Sequence, residues 1–343
     1  MKQHKIGIIY NEPLPRGAEN WESSQDVLVQ VEAIEKALNE LKHKPVSIPF
    51  SGDLQASVAR ICAERLDVAI NLCESVNEDP RLIGHPAAVL ELLGIPFSGS
   101  PAQALMLTTD KLVSKLMLVA QGITTPKYIF VENIDDCQKG NLKYPVIIKP
   151  RFQDASIGID QDSICPHKRE LPGKVKRFLA QYGPLIVEEY IPGEEYNISL
   201  MGFPRPTLLP YAKIDFSGLP DGLMPIVGYK AKWDKDSVEY QQTKRVFPKR
   251  LPPFFFNAIK TIATYCFRTF MLRDYGRVDF RIDERGRIYV LEINANPCLS
   301  PDAGFAAAAQ QDNIPYSRLI EILVNLIFKR KKLHDSYQAD LAG

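Results

Sequence analysis

Short apolar runs alternate with helical-period segments through the first hundred residues, and this alternation limits the fold more than any other feature. Lys5-Ile6-Gly7-Ile8-Ile9-Tyr10, residues 46–48 and Val68-Ala69-Ile70 read as strands buried on both faces. Between them Val27, Val31, Ile34, Leu38 and Leu41 recur at helical spacing over 24–41, and a second helix falls at about 54–65. Strand and helix in strict succession predict a parallel sheet covered on both sides. A helix ending at Gly94, then Ile95-Pro96-Phe97, closes this unit near residue 100.

Beyond it the pattern changes. A helix over 109–121, capped by Gly122, precedes strands at 127–131 and 146–149, a helix at 167–181 and a strand at 185–190. The rest reads as antiparallel strands, a helix at 253–271, a hairpin and a last helix at 316–331. Loops at 215–221 and 232–244, rich in Pro, Gly and charge, are expected to act as lids.

With 343 residues, 45% of them hydrophobic and 24% charged, the chain suits two or three globular domains. A net charge of +1 gives no reason to expect nucleic acid or an anionic membrane as partner. The basic run Lys329-Arg330-Lys331-Lys332 is read as a cationic cap on the last helix. No apolar stretch is long enough to span a bilayer, and residues 1–10 lack a signal peptide's apolar core. Six scattered cysteines without C-x-x-C spacing argue for reduced thiols in a cytoplasm.

Most of the chemistry is carried by two strands, Arg277-Val278-Asp279 and Leu291-Glu292-Ile293-Asn294-Ala295-Asn296-Pro297, joined across Asp283-Glu284-Arg285-Gly286. Asp279, Glu292 and Asn294 are hard oxygen ligands, and Glu292 and Asn294, two apart on a strand, face one side. Magnesium held this way takes its other ligands from water and a nucleotide's phosphates. Arg277 shares the face of Asp279 and can hold an anion beside the metal. A surface hairpin with charged ends is the plainer reading, but carboxylates set among apolar strand residues need partners.

Tyr144-Pro145-Val146-Ile147-Ile148-Lys149-Pro150 ends a strand on a lysine and runs into Arg151-Phe152-Gln153-Asp154-Ala155-Ser156-Ile157-Gly158, an arrangement suited to phosphate. In Ile186-Val187-Glu188-Glu189-Tyr190-Ile191-Pro192-Gly193-Glu194-Glu195-Tyr196 a polar break between strands can read an adenine edge, and Glu195 can accept from ribose hydroxyls. An ordinary hairpin remains the alternative for that segment.

Together with Leu90-Glu91-Leu92-Leu93-Gly94-Ile95-Pro96-Phe97-Ser98-Gly99-Ser100 and Thr109-Asp110-Lys111, these segments resemble the ATP-grasp superfamily, most closely the D-alanine–D-alanine ligases, over nearly the whole chain. The resemblance implies an α/β ATP-grasp fold. A parallel-sheet domain at 1–104 would precede central (105–192) and C-terminal (193–343) α+β domains that clasp ATP, and a homodimer would form through the first. It further implies that Lys111 and Lys149 contact phosphates and that Glu188, Glu189 and Ile191 line the adenine site. Glu195 would hold the ribose, Lys232 would neutralise the transferred phosphate, and Asp279, Glu292 and Asn294 would bind two Mg2+ ions, with Mn2+ as a substitute. Arg277, Lys232 and Ser156 become the catalytic set, with Arg277 on the tetrahedral oxyanion. The loops 153–158 and 229–241 would close over the reacting groups.

The substrate side departs from the family. Its Gly-Gly turn and Glu-Val-Ser segment are replaced by Tyr10-Asn11-Glu12-Pro13-Leu14-Pro15-Arg16 and Glu19-Asn20-Trp21-Glu22-Ser23-Ser24, leaving Glu19 or Glu22 to replace the missing acid. The family's His-Gly segment appears as Asn71-Leu72-Cys73-Glu74, with Cys73 at the histidine, while Glu78 matches the family's glutamate. Its phosphate loop, Glu-Gly-Ser-Ser, becomes Gln153-Asp154-Ala155-Ser156, and a tyrosine becomes Trp233, which cannot accept a hydrogen bond. The acceptor stretch becomes Pro297-Cys298-Leu299-Ser300-Pro301-Asp302-Ala303, with Ala303 where a serine would bind carboxylate. Glu12, Glu22, Cys73, Glu78, Trp233 and Ser300 are therefore the expected substrate wall. Cys73 and Cys298, without a histidine near in sequence, are read as packing residues rather than nucleophiles.

An ATP-dependent ligase is expected, joining an amine (an amino acid) to a small phosphate-activated acid or acid-like intermediate, as in ligases that build mycosporine-type amino acids. Its rivals are a true D-alanine–D-alanine ligase, a non-catalytic ATP-binding regulatory protein, and an enzyme adding residues to a protein's terminus.

Overall fold

The computed structural model describes residues 2–14, 16–18 and 21–342, without the side chains of 22, 23, 334 and 336–342. The acids of Glu19 and Glu22 lie outside the described residues. Strands β1 (Lys5–Asn11), β2 (Lys44–Phe50) and β3 (Val68–Asn71) form a parallel sheet in the order β2-β1-β3. Ile6, Ile8 and Ile9 of the central strand are fully buried. Helix α1 (Trp21–Glu40) turns Val27, Val31, Ile34 and Leu38 inward. Helix α2 (Leu54–Glu64) starts at Asp53, whose Oδ1 accepts from the Ala56 N–H at 2.9 Å. Helix α3 (Gly84–Leu92) turns at Gly94, φ 65°, toward Phe97, which bridges Ala69 in parallel.

Helix α5 (Lys111–Ala120) is the helix the sequence predicts over 109–121, and α4 (Ala102–Thr109), which the sequence does not predict, precedes it. Asp110 divides them. Its Oδ1 caps α5 by accepting from Leu112 N (3.0 Å) and Val113 N (3.2 Å), and both oxygens clasp Arg151 (2.8 and 2.6 Å). One carboxylate thus begins a helix and ties it to the end of the strand bearing Lys149.

The second sheet, antiparallel throughout, has the order β4-β7-β5-β6: β4 (Tyr128–Val131), β5 (Val146–Pro150), β6 (Ile164–Cys165) and β7 (Leu185–Glu189). Helix α6 (Leu171–Tyr182) packs on it, and Val131, Val146, Ile148, Val175 and Val187 make a core of its own.

The third sheet runs β11-β10-β8-β12-β13, with β9 against β8. Its strands are β8 (Glu194–Gly202), β9 (Thr207–Leu208), β10 (Ala212–Asp215), β11 (Lys244–Val246), β12 (Asp274–Ile282) and β13 (Ile288–Asn294). The expected lid at 232–244 contains short helical turns, α7 (Tyr229–Trp233) and α8 (Val238–Gln242). Helices α9 (Pro253–Thr269), α10 (Gly304–Gln311) and α11 (Tyr316–Ala342) complete the chain. First and third sheets share their cores: Ile9 and Phe50 cluster with Val278 and Phe280, and Val31 and Ile34 with Leu319 and Leu323. Gly193, at the break between β7 and β8, has φ 130°, and a Cβ there would lie 2.1 Å from the Ile282 carbonyl oxygen, so only glycine fits. Among the described residues no helix is long and apolar enough to cross a membrane.

Candidate active site

The β12–β13 hairpin walls a cavity of about 570 Å3. Its register sets Asp279 opposite Glu292 and Arg277 opposite Asn294, then slips so that Phe280 pairs with Val290 and Leu291 is an extra residue. That bulge changes the strand's parity. Val290 and Ile293, three apart, would otherwise face opposite sides; here both are buried, while Glu292 and Asn294 line the cavity. Bulges recur beside active sites because they re-aim side chains in this way.

Arg277 grips Asp279 with two parallel bonds, Nε to Oδ1 at 2.8 Å and Nη2 to Oδ2 at 2.9 Å. Burial works against the guanidinium's charge, but Asp279 outweighs it and raises the Arg277 pKa. Burial likewise pushes the Glu292 carboxyl up, and Lys111, Lys232, Arg277 and Lys149 together hold it below its ordinary value. Asn294 Oδ1 accepts from the Asn296 N–H at 3.1 Å. Two carboxylates and an amide oxygen fit magnesium, which uses one or two protein carboxylates and completes its shell with water and phosphate oxygens. Among the described residues no three His, Cys, Asp or Glu side chains gather into a metal cage, so the donors form an open half-site.

At the end of the cavity expected to hold a nucleotide, β5 delivers Lys149 to Glu188 of β7, which also receives Lys115 at 2.5 Å. Burial favours a neutral Glu188, but the two ammonium groups outweigh it and bring its pKa down to about 2. Glu188 borders the cavity as expected, yet its carboxylate presets Lys149 rather than facing a base. Lys115 was not anticipated, although its i, i+4 spacing from Lys111 puts both on one side of α5. Glu195 accepts from Arg281 Nε (3.1 Å) and Nη2 (2.9 Å), both through Oε2, while Arg281 Nη1 bonds the Ile191 carbonyl at 2.8 Å. Glu189 Oε1 accepts from the Lys143 N–H at 2.8 Å. Ile147, Ile191 and Ile226 supply apolar walls there.

Asp154 faces inward, 3.5 Å from the Lys111 ammonium, which also bonds the Gln153 carbonyl. Ala155 and Ser156 both have positive φ, 52° and 63°, costing about 1–3 kcal/mol each outside glycine. Two side chains over-determine that strained turn: Ser156 Oγ donates to the Val227 carbonyl at 2.8 Å, and Trp233 Nε1 donates to the Ala155 carbonyl at 2.9 Å. Trp233 thus clips the 153–158 loop to α7, which carries Lys232 into the cavity. Burial, then the nearby Arg277, lowers the Lys232 pKa.

The substrate end differs most from expectation. Glu12 and Glu78 are exposed and do not line the cavity, and Cys73 is fully buried beside it. Asp26 of α1 and Glu74 line it instead. Asp26 accepts from Ser300 Oγ (3.0 Å), Cys298 Sγ (3.0 Å) and Gln30 Nε2 (3.2 Å), so Ser300 orients Asp26. The Cys298 thiol, buried beside Asp26, is pushed well above its ordinary pKa and kept protonated, consistent with packing. Arg245 of β11 donates to the Asp302 carbonyl at 3.0 Å, and among the described residues it forms no ion pair with a carboxylate. Glu74 could have been anticipated, since it follows a parallel strand at the carboxyl end, where such sheets place ligands.

The family model D-ala D-ala ligase C-terminus matches residues 117–325. A D-alanine–D-alanine ligase of Pelotomaculum thermopropionicum is 30% identical over 308 residues, covering 86% of this chain and 90% of that protein. An uncharacterized protein of Sinorhizobium fredii, y4sG, is 28% identical over 336 residues, 94% of each chain. The D-alanine–D-alanine ligase of Bacillus anthracis complexed with ATP superposes with a TM-score of 0.73 at 22% identity, covering 96% of this chain and 98% of that one. The VanG D-Ala:D-Ser ligase of Enterococcus faecalis gives 0.73 at 19%, covering 95% and 100%. The chain belongs to the D-alanine–D-alanine ligase family and is an ATP-grasp, ADP-forming ligase that makes C–N bonds.

Proposed function

We propose that this ligase joins an amine, an amino acid, to a small acid or acid-like intermediate other than D-alanine, activated by ATP as an acyl phosphate. The observation that carries this reading is the cavity itself, whose charged nucleotide wall continues into a substrate end built from Asp26, Glu74 and Arg245. Lys149, set by Glu188, and Lys232 balance the phosphates, since phosphoryl transfer needs positioning and charge neutralisation above all. Asp279, Glu292 and Asn294 would hold two magnesium ions, or manganese in their place, and the bound metal supplies further neutralising charge. Arg277 faces the oxyanion formed as the amine adds, and Glu195 Oε1 and the apolar walls receive ribose and adenine. Ser156 shapes the phosphate loop and leaves the reacting atoms to the cations. Boundaries at 104 and 192 would give each sheet its own domain, and the subunits would pair through the first. Six free thiols fit a cytoplasmic setting.

The test is ADP release with magnesium and ATP across a panel of amino acids, with products read by mass spectrometry. Turnover requiring two different substrates supports the proposal. Release with D-alanine alone, giving the dipeptide, would replace it with a D-alanine–D-alanine ligase.

A further inference from the structure

The nucleophile of a C–N bond-forming step arrives as an ammonium, which has no lone pair until a proton leaves. We infer that Glu74 is the base that takes this proton from the incoming amine, an assignment resting on the ligase reading above. Its half-buried side chain follows β3 and borders the cavity between the substrate wall and the phosphate loop. Asn11 Oδ1 accepts from the Glu74 N–H at 3.2 Å, and the buried Gln30 of α1 lies close enough to its carboxylate to favour the charged form. No cation forms an ion pair with it among the described residues.

The charged and titratable groups facing it come from every neighbouring element: Asp26 from α1, Asp154 from the phosphate loop, Lys232 from α7, Tyr275 from β12, Cys298 after β13, and the adjacent Cys73. Burial, then Asp26 and Asp154, raise its carboxyl, while Gln30 and Lys232 oppose them, leaving the pKa at about 7. A general base works best with its pKa near the working pH. Four of the other cavity acids are committed. Asp279 is chelated by Arg277, Glu188 by two lysines, Asp154 faces Lys111, and Asp26 has donors on both oxygens.

An ammonium N–H bond breaks and the proton passes to a Glu74 oxygen. The freed lone pair forms the C–N bond at the acyl phosphate's carbonyl carbon, and the resulting oxyanion faces Arg277. The C–O bond to phosphate then breaks, phosphate leaves with the electron pair and a second amine proton, and Glu74 returns its proton to water.

Wild type and Glu74→Gln are compared with magnesium, ATP and a panel of amino acids and other small carboxylic acids as the acid. The nucleophile is either hydroxylamine, uncharged at neutral pH and needing no base, or the same amino acids. Glu74→Gln should keep hydroxamate formation and lose amine ligation by ~10²–10⁴-fold at neutral pH. The wild-type amine rate should fall as pH drops through about 7, and the variant should instead follow the ionisation of the amine. Equal loss of hydroxamate and amide would make Glu74 structural and overturn the inference, as would amine ligation with an unchanged rate and pH profile. Failure of the wild type to form hydroxamate from any acid would sink the ligase reading itself, and this assignment with it.

Discussion

The two ends of the cavity handle charge in opposite ways. At the end proposed for the nucleotide, Lys149 and Lys115 meet Glu188, Lys111 meets Asp154, and Arg281 meets Glu195. At the end proposed for the substrate, like charges sit together: Glu74 near Asp26, and Arg245, exposed as a residue, with its guanidinium close enough to Arg277 that partial desolvation and this neighbour lower its pKa. A nucleotide always brings the same phosphates, so its cations can be fixed in advance by carboxylates. An amino acid brings both charges with it, and a buried charge left without a partner is costly. On the proposed function the substrate end would be an electrostatic arrangement that its ligand completes, and specificity would reside there.

The sharpest way to break this comparison is Glu188→Ala, which strands two buried ammonium groups. It should cost about 3–5 kcal/mol in chemical denaturation, and a near-neutral result would mean that the nucleotide wall is not held by its pairing. Next is Arg277→Ala, expected to lower kcat by ~10²–10³; intact turnover would remove its role on the oxyanion. Arg245→Ala should raise the KM of a carboxylate-bearing substrate by roughly 10–100-fold, as loss of a charged hydrogen bond of about 1.5–3 kcal/mol predicts. Should the KM for ATP move instead, Arg245 belongs to the other end. The smallest effect concerns Glu74 and stability. Its folded pKa lies above the ordinary 4.5, so the native state holds an extra proton between there and about 7, and stability falls as pH climbs through that window. Glu74→Gln should therefore gain about 1–2 kcal/mol at pH 8 and nothing at pH 4; a gain at both would point to packing.

How far each part could be read from sequence follows from how local its cause is. The parallel strands and the β12–β13 hairpin were legible because periodicity and turn chemistry act over a few residues. Helix α4 was not, since its eight residues are short and apolar on most sides, so no helical period shows. Helix α10 escaped because its eight residues, barely two turns, are too few for a helical period to show. Asp26, Glu74 and Arg245 come from α1, the end of β3 and β11, and only the shared packing of first and third sheets brings them together. Glu12 and Glu78 were attractive by motif position, but their exposure takes them out of the cavity.

That shared packing also bears on how the chain is made. Helix α1 packs on α11, and Val31 and Ile34 share a cluster with Leu319 and Leu323. During synthesis α1 emerges long before Tyr316 is added, so at about 5–20 residues per second its apolar face waits on the order of 15–60 s for its partner. The second sheet draws its core from residues 129–187 and can settle in the interval. A ribosome-bound chain stopped before α11 should therefore hold a folded middle and an unfinished beginning, and that unfinished face is the surface a chaperone would meet.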